Sequence, residues 1–344
     1  MIENEIQDLW PHKRHKSDEE NLLINEWEKL AALSNRRLSV QNLVQPFRLA
    51  WSIDRITVVG KLKKYLWVRD DLQVIELDFE QVWQIFESQG FAEQRGQGWV
   101  LLDKYGENIA YAEKVKYDKE KGRIDFNPTK IGQFLSEDLK HFIHRIFDSP
   151  HFSRADVACD ILDLPDDFVR QYRIVDPVSF KPIYGASGEL ETAYWGSRSS
   201  ERQVRMYNKK LEQMKKRKIV PKEIETWWRL EVQLRRDKAT NWFNIMNESL
   251  LSFSSTNYMP DYLSGIEKAV IVGLMNDQNL WSGLARNTKY KYRNLLKDIA
   301  NDDELTQHLK ASFSESAKDL KDELDSWLTG LDVTEDESDN SGAV

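Results

Sequence analysis

The chain carries one cysteine, Cys159, so no disulfide can form within it, and its place on the apolar side of an alternating run predicts a packed thiol. No stretch approaches the eighteen or so apolar residues of a membrane span. The N-terminal MIENEIQDLWPHKRHK lacks the apolar core of a signal peptide. These absences predict a cytoplasmic protein that does not touch a membrane. GASGEL (185–190) holds too few glycines for a phosphate cradle and reads as a hairpin turn. Internal repeats are not visible, and low complexity is confined to the C-terminal tail. A βαβ rhythm is also missing, which favours an antiparallel α+β sheet over a doubly wound one.

What is present is the composition of a globular protein. Charged residues make up 31% and hydrophobic residues 40%, and 344 residues are enough for about two domains with proper cores. A net charge of −8 seems to disfavour nucleic acid, but it is unevenly spread. Between Arg198 and Lys238 fourteen Lys and Arg stand against six Asp and Glu, a local +8 that leaves −16 on the remainder. That segment is suited to a polyanion. The tail from Leu331 to Val344 has five acids and no base, with almost nothing to bury, and reads as disordered.

Along the chain, a charged helix over 19–33 sits on an N-terminal arm (1–45). Strand-like runs follow at 51–60, 98–106, 107–117, 122–131, 151–162, 192–210 (two strands around 196–201) and 226–237. Helical spacing appears near 79–89 and 132–147. From about residue 240 the pattern is helical. The expected architecture is therefore α+β: an antiparallel-sheet catalytic domain (46–245) with helices on one face, a mostly helical C-terminal region (246–328) and the acidic tail (329–344).

Each strand offers one polar and one apolar face. Asp125 and Asn127 alternate with Ile124 and Phe126, and Asp156 and Asp160 with Ala155, Val157, Cys159 and Ile161. Arg229, Glu231, Gln233 and Arg235 alternate with Trp228, Leu230, Val232 and Leu234. In QVRMYNKKLEQ, Arg205, Tyr207 and Lys209 share a face if the stretch is extended. On one sheet these would gather acids, cations and a phenol, the parts needed for phosphodiester chemistry. Carboxylates hold a hard divalent cation, cations neutralise the phosphate, and the phenolate attacks. A phenol near its reference pKa of about 10 needs those cations to ionise. The bland alternative is a solvated sheet laced with cross-strand ion pairs; Asp is a poor strand former, and two of them four apart favour a site. His141 and His144, three apart beside Lys140 and Arg145, read as a surface or core-edge pair. The run Lys215–Lys218 reads as a solvated loop placed to track a DNA backbone.

ETAYWGSRSSERQVRMYNKKLEQ followed by WWRLEVQLRRD resembles the replication initiator (Rep) proteins of Gram-positive rolling-circle plasmids of the staphylococcal type, the Rep_trans family. The likeness extends through SIDRITVVG, RIDFNPTKI, FSRADVACDI and LWSGLARNTKYKYRNLLKDI. It implies a dimer that binds the double-strand origin, cleaves one strand at a hairpin or single-stranded nick site, keeps the 5′ end as a phosphotyrosine and leaves a 3′-OH primer. It also implies strand rejoining at termination and a host superfamily-1 helicase as partner. The family's nucleophile falls on Tyr207, with Arg205 and Lys209 beside it and Tyr194 as the rival. Its acids fall on Asp156, Asp160 and Glu231, implied ligands of Mg²⁺ or Mn²⁺. Gln233 stands where relatives often have a further acid, so Asp125 or water would complete the shell. The His-x-His pair of the best-known tyrosine nickases is missing, so the metal site must be built of carboxylates. DNA contacts are expected from Arg198, Lys210, Arg229 and Arg235, and origin discrimination from Arg286, Asn287, Thr288, Lys289, Lys291 and Arg293. A conjugative relaxase shares this pattern; an origin-binding protein without cleavage is the reading from a different class.

Overall fold

The computed structural model describes residues 47–329, apart from 69–72, 104–105, 171, 175–178, 251–252, 256–258, 278 and 303. The expected helix at 19–33 and the acidic tail lie outside the described residues.

Strand β1 (Arg48–Leu62) leads through a small hairpin, β2 (Tyr65–Val68) and β3 (Val74–Leu77), into helix α1 (Phe79–Ser88). A meander follows: β4 (Ala92–Arg95), β5 (Gly98–Leu102), β6 (Asn108–Val115) and β7 (Asp118–Phe126), then helix α2 (Pro128–Ile146). The second half begins with β8 (Phe147–Leu162), makes a short excursion through α3 (Asp166–Arg170) and β9 (Tyr172–Ile174), and meanders through β10 (Phe180–Tyr184), β11 (Leu190–Trp195) and β12 (Arg202–Asn208). Helix α4 (Lys209–Lys215) precedes β13 (Trp227–Arg235), and α5 (Asp237–Thr240) and α6 (Trp242–Leu250) close the half. After β14 (Phe253–Ser255) come α7 (Gly265–Asn276), α8 (Asn279–Ser282), α9 (Arg286–Asp302) and α10 (Glu304–Ser326).

Ten strands form one antiparallel sheet in the order β10-β11-β12-β13-β8-β1-β7-β6-β5-β4. Its plan repeats: a long central strand, an excursion, then a four-strand meander that returns from the outer edge to the centre, with helix following. β1 and β8 pair with each other along their length, so the halves are related by an approximate two-fold at the middle of the sheet. This repeat is carried by topology, which is why no sequence period revealed it.

The two-face reading of the strands is borne out. Trp51, Ile53, Ile124, Phe126, Val157, Cys159, Val204, Met206, Leu230 and Val232 are buried on one face, where α1, α2 and α10 cover them. Trp83 of α1 stacks on Trp99 with centroids 6.3 Å apart, and Phe313 of α10 meets Trp51 edge-on at 5.1 Å. A second, smaller core of Leu263, Ile271, Leu274, Trp281, Tyr292, Leu296 and Ile299 holds α7 to α9 together. The C-terminal segment therefore has its own core, but its last helix belongs to the sheet.

Caps set the boundaries. Asn127 does not continue the strand as expected; its side chain accepts from the Thr129 amide at 3.0 Å, ending β7 and starting α2 at Pro128, four residues before the predicted Gly132. Pro at the first helical turn needs no amide partner.

Candidate functional site

The register on the opposite face of the sheet lines up three rows. Tyr207 on β12 stands opposite Arg229 on β13, which stands opposite Asp160 on β8. The next row is Arg205, Glu231 and Ala158, and the third is Gln203, Gln233 and Asp156. β1 adds Ser52 opposite Ala158, so two short side chains lie at the centre of a ring of charged ones.

Tyr207 is only 5% exposed. The Arg205 guanidinium lies 4.1 Å from its ring centroid, and Lys209 Nζ is 3.4 Å from its hydroxyl. Lys209 is not on the strand, as the extended reading had it. Asn208 accepts from the Leu211 amide at 2.8 Å, capping α4, and the chain turns so that Lys209 reaches back over the phenol. Glu212, one helical turn on, holds that ammonium at 2.6 Å. Burial pushes the Tyr207 phenol well above its ordinary pKa although Arg229 and Arg205 pull it down. The flanking cations oppose this rise but do not cancel it: desolvation is the larger effect. Tyr194, on β11, stands across from Arg205.

The acids are grouped differently from the sequence expectation. Asp160 is taken up by Arg229, through Nε and Nη2 at 2.7 Å each, and by the Trp227 indole at 2.8 Å. Along β8 it is four residues from Asp156, roughly 13 Å at strand spacing. Asp156 accepts two bonds from Arg154 (2.9 and 2.6 Å) and one from Gln233 at 3.0 Å. Glu231 is paired with Arg205. Asp54, which the sequence reading passed over, receives the other arm of Arg229 at 2.6 Å. Burial raises the Asp156 carboxyl to about 7, with Arg154 opposing and with Glu231 and Asp54 adding to the rise. Glu231 is pushed up by burial too, against Arg205, and again by Asp54. Asp54, Asp156 and Glu231 therefore feel one another, whereas Asp160 belongs to the tyrosine row. Asp125 lies across β1, bonded to Arg55 and to the Thr57 hydroxyl at 2.7 Å.

Asp54 had a signal: Ser52 and Asp54 alternate with Trp51 and Ile53. The β1–β8 register shifts between Ile53 and Arg55, a bulge that adds Arg55 to the same face.

These are hard oxygen donors of the kind Mg²⁺ and Mn²⁺ take. Asp54 and Glu231 each keep one oxygen outside the arginine contacts. As they stand, no three His, Cys, Asp or Glu side chains among the described residues are gathered round one point, His141 and His144 included. The donor chemistry fits such an ion, although Asp54, Asp156 and Glu231 are each paired with an arginine.

Of the residues expected on DNA, Arg229 is half-buried between Asp54 and Asp160, both of which it bonds. Lys210 donates to the Ile224 and Glu225 carbonyls at 2.8 Å each, and Arg235 to the Ser200 carbonyl at 2.8 Å. Arg198 is exposed in the β11–β12 turn. On α9, Arg286 and Asn287 are exposed at the start, Thr288 and Lys289 half-buried, and Lys291 pairs with Glu267 at 2.9 Å. Arg293 lies 5.7 Å from the Trp281 ring. Tyr290 points out, 69% exposed, and Tyr292 is buried.

A sequence profile described as replication initiation factor matches residues 179–284, a span that contains Tyr207 and Glu231. A replication initiation protein of Staphylococcus aureus is 32% identical over 299 residues, covering 86% of this chain and 90% of its own. A second from that organism is 34% identical over 244 residues, covering 67% and 74%. Among solved structures, a rolling circle replication initiator protein from Geobacillus stearothermophilus aligns with 74% of this chain and 97% of its own at 17% identity, with a TM-score of 0.34.

Proposed function

This chain belongs to the family of replication initiation factors, and from that premise we propose that it starts plasmid rolling-circle replication by nicking one DNA strand at its origin. The observation that carries the chemistry is the setting of Tyr207: a phenol enclosed by Arg205 and Lys209, in register with Arg229, on the face of the sheet opposite the one that packs against α1, α2 and α10.

In this reading a scissile phosphate enters between Arg205 and Lys209. The arrival of the phosphate gives both cations a second anionic partner beside Glu231 and Glu212, and the phenol passes its proton to water as the site fills. The Tyr207 oxygen then bonds to phosphorus while the bond from phosphorus to the 3′ oxygen breaks, giving a 5′-phosphotyrosine and, once that oxygen takes a proton, a 3′-OH primer. Energy held in the tyrosyl ester lets the reaction run back to rejoin strands at termination. Asp54, Asp156 and Glu231 are the residues that would hold Mg²⁺ or Mn²⁺. A divalent ion there supplies positive charge to the phosphate oxygens. Asp160 instead fixes Arg229 behind the phenol. Arg286 and Asn287 at the start of α9 read base edges, and Lys289 and Arg293 hold phosphates. The acting form is a homodimer, whose second Tyr207 serves termination, and a host superfamily-1 helicase unwinds from the nick.

The test is incubation with Mg²⁺ or Mn²⁺ and single-stranded oligonucleotides tiling the DNA around the protein's own gene, followed by digestion and mass spectrometry. A nucleotide adduct on the Tyr207 peptide is expected. An adduct on the Tyr194 peptide would move the nucleophile one strand over, and no adduct on any oligonucleotide would leave an origin-binding protein that does not cleave.

A further inference from the structure

The turn that follows α4 is built unlike a solvated loop. The Lys218 amide donates to the Gln213 carbonyl at 3.0 Å and the Arg217 amide to the Met214 carbonyl at 3.0 Å, the paired bonds that lock a helix C-terminus in place. That lock requires a left-handed residue, usually glycine; here Arg217 takes it, at φ 57°, accepting backbone strain to place a cation. On the far side the chain is pinned again, by Val220 against the small core of Leu162, Ile224 and Trp227. Between two anchors, the turn holds Ile219 at 89% and Met214 at 58% exposure, among Lys215, Lys216, Arg217 and Lys218. Lys215 and Lys216 pair with Glu191 and Glu212, whereas Arg217 and Lys218 make no ion pair among the described residues.

Two fixed apolar side chains set among cations match the chemistry of a wedge in DNA, with phosphates held by the cations and base steps parted by the hydrocarbon. Position favours that partner. α4 starts immediately after the Tyr207 strand and its seven residues span about 10 Å, roughly three nucleotides of about 3.4 Å along a strand. We propose that residues 214–219 form a wedge that opens base-paired DNA beside the scissile phosphate, delivering a single strand to Tyr207. The inference rests on the nicking reading above and adds how a paired origin becomes a substrate.

The test uses the nick-site sequence in three forms: a single strand, a linear duplex with a mismatch bubble over the site, and a supercoiled plasmid. The double variant Met214→Ser, Ile219→Ser, whose changes lie on exposed positions, is expected to nick the single strand and the bubble within twofold of the unaltered protein. Nicking of the plasmid should slow at least tenfold, with loss of permanganate reactivity at thymines beside the site. Plasmid nicking at the unaltered rate overturns the wedge. So does an equal loss on all three forms, which would assign the turn to binding in general. If the unaltered protein nicks none of the forms, the nicking reading itself fails, and that result is distinct from either of the others.

Discussion

At Asp156 the sheet buries an acid that three hydrogen bonds, two from Arg154 and one from Gln233, cannot fully compensate, and the sign of the resulting pH dependence follows. Its folded pKa of about 7 lies above the ordinary 3.8. Between those values the folded chain keeps a proton that the unfolded chain has lost, so this group's contribution to stability is greatest at the acid end and declines as pH rises to about 7. About three units at 1.36 kcal/mol each set a ceiling of roughly 4 kcal/mol. In chelator, urea denaturation of the unaltered protein should show this loss between pH 5 and 7.5, and Asp156→Asn should flatten it whatever it does to absolute stability. An unchanged slope would remove Asp156 from the account. Tyr207→Phe isolates the chemistry. The hydroxyl's one close contact, at 3.4 Å to Lys209, is long, so melting should hardly move and origin binding should persist in a gel-shift assay while nicking disappears. A Phe variant that still nicks would dismiss Tyr207 as nucleophile.

One element decides whether the phenol is covered, and its start is a single cap. Without the bond from the Leu211 amide to Asn208, α4 loses its first turn and Lys209 its path back to Tyr207. Asn208→Ala should cost about 1 kcal/mol of stability, as cap removal typically does, and should also reduce the nicking rate. Asn208→Asp should restore both, since it caps equally well; rescue of melting without rescue of rate would detach the cap from the site. Elements also show what was legible in the sequence. Alternation assigned both faces of β7, β8, β12 and β13 correctly, because a period of two is forced on any half-buried strand. It would also have placed Asp54, which follows Ser52 in period, since the bulge puts only Arg55 out of step. It failed at Lys209, where a short polar side chain ends a strand that composition would have continued. That failure lies inside the candidate site, where local rules yield to function.

Across the whole molecule, the near two-fold sheet is not used symmetrically. The candidate site gathers on the second half, while on the first Tyr111 on β6, opposite Asp125 on β7, which stands opposite Thr57 on β1, donates to Glu113 at 2.8 Å. Packing of the C-terminal segment on the sheet runs chiefly through α10. That helix crosses back from the smaller core to cover Trp51 and Phe126, with Trp327 just beyond it 4.5 Å from the Phe126 ring. The sheet and the C-terminal segment should accordingly unfold together. Phe313→Ala, which empties a fully buried site, should cost about 3–5 kcal/mol and lower the single melting transition by roughly 6–15 °C for a chain of this size. Tyr290→Ala, on the exposed side of α9, should leave it within about 0.5 kcal/mol. Calorimetry reads both. Two separate transitions, with Phe313→Ala moving only one, would mean that α10 rests on the sheet without being part of its cooperative core.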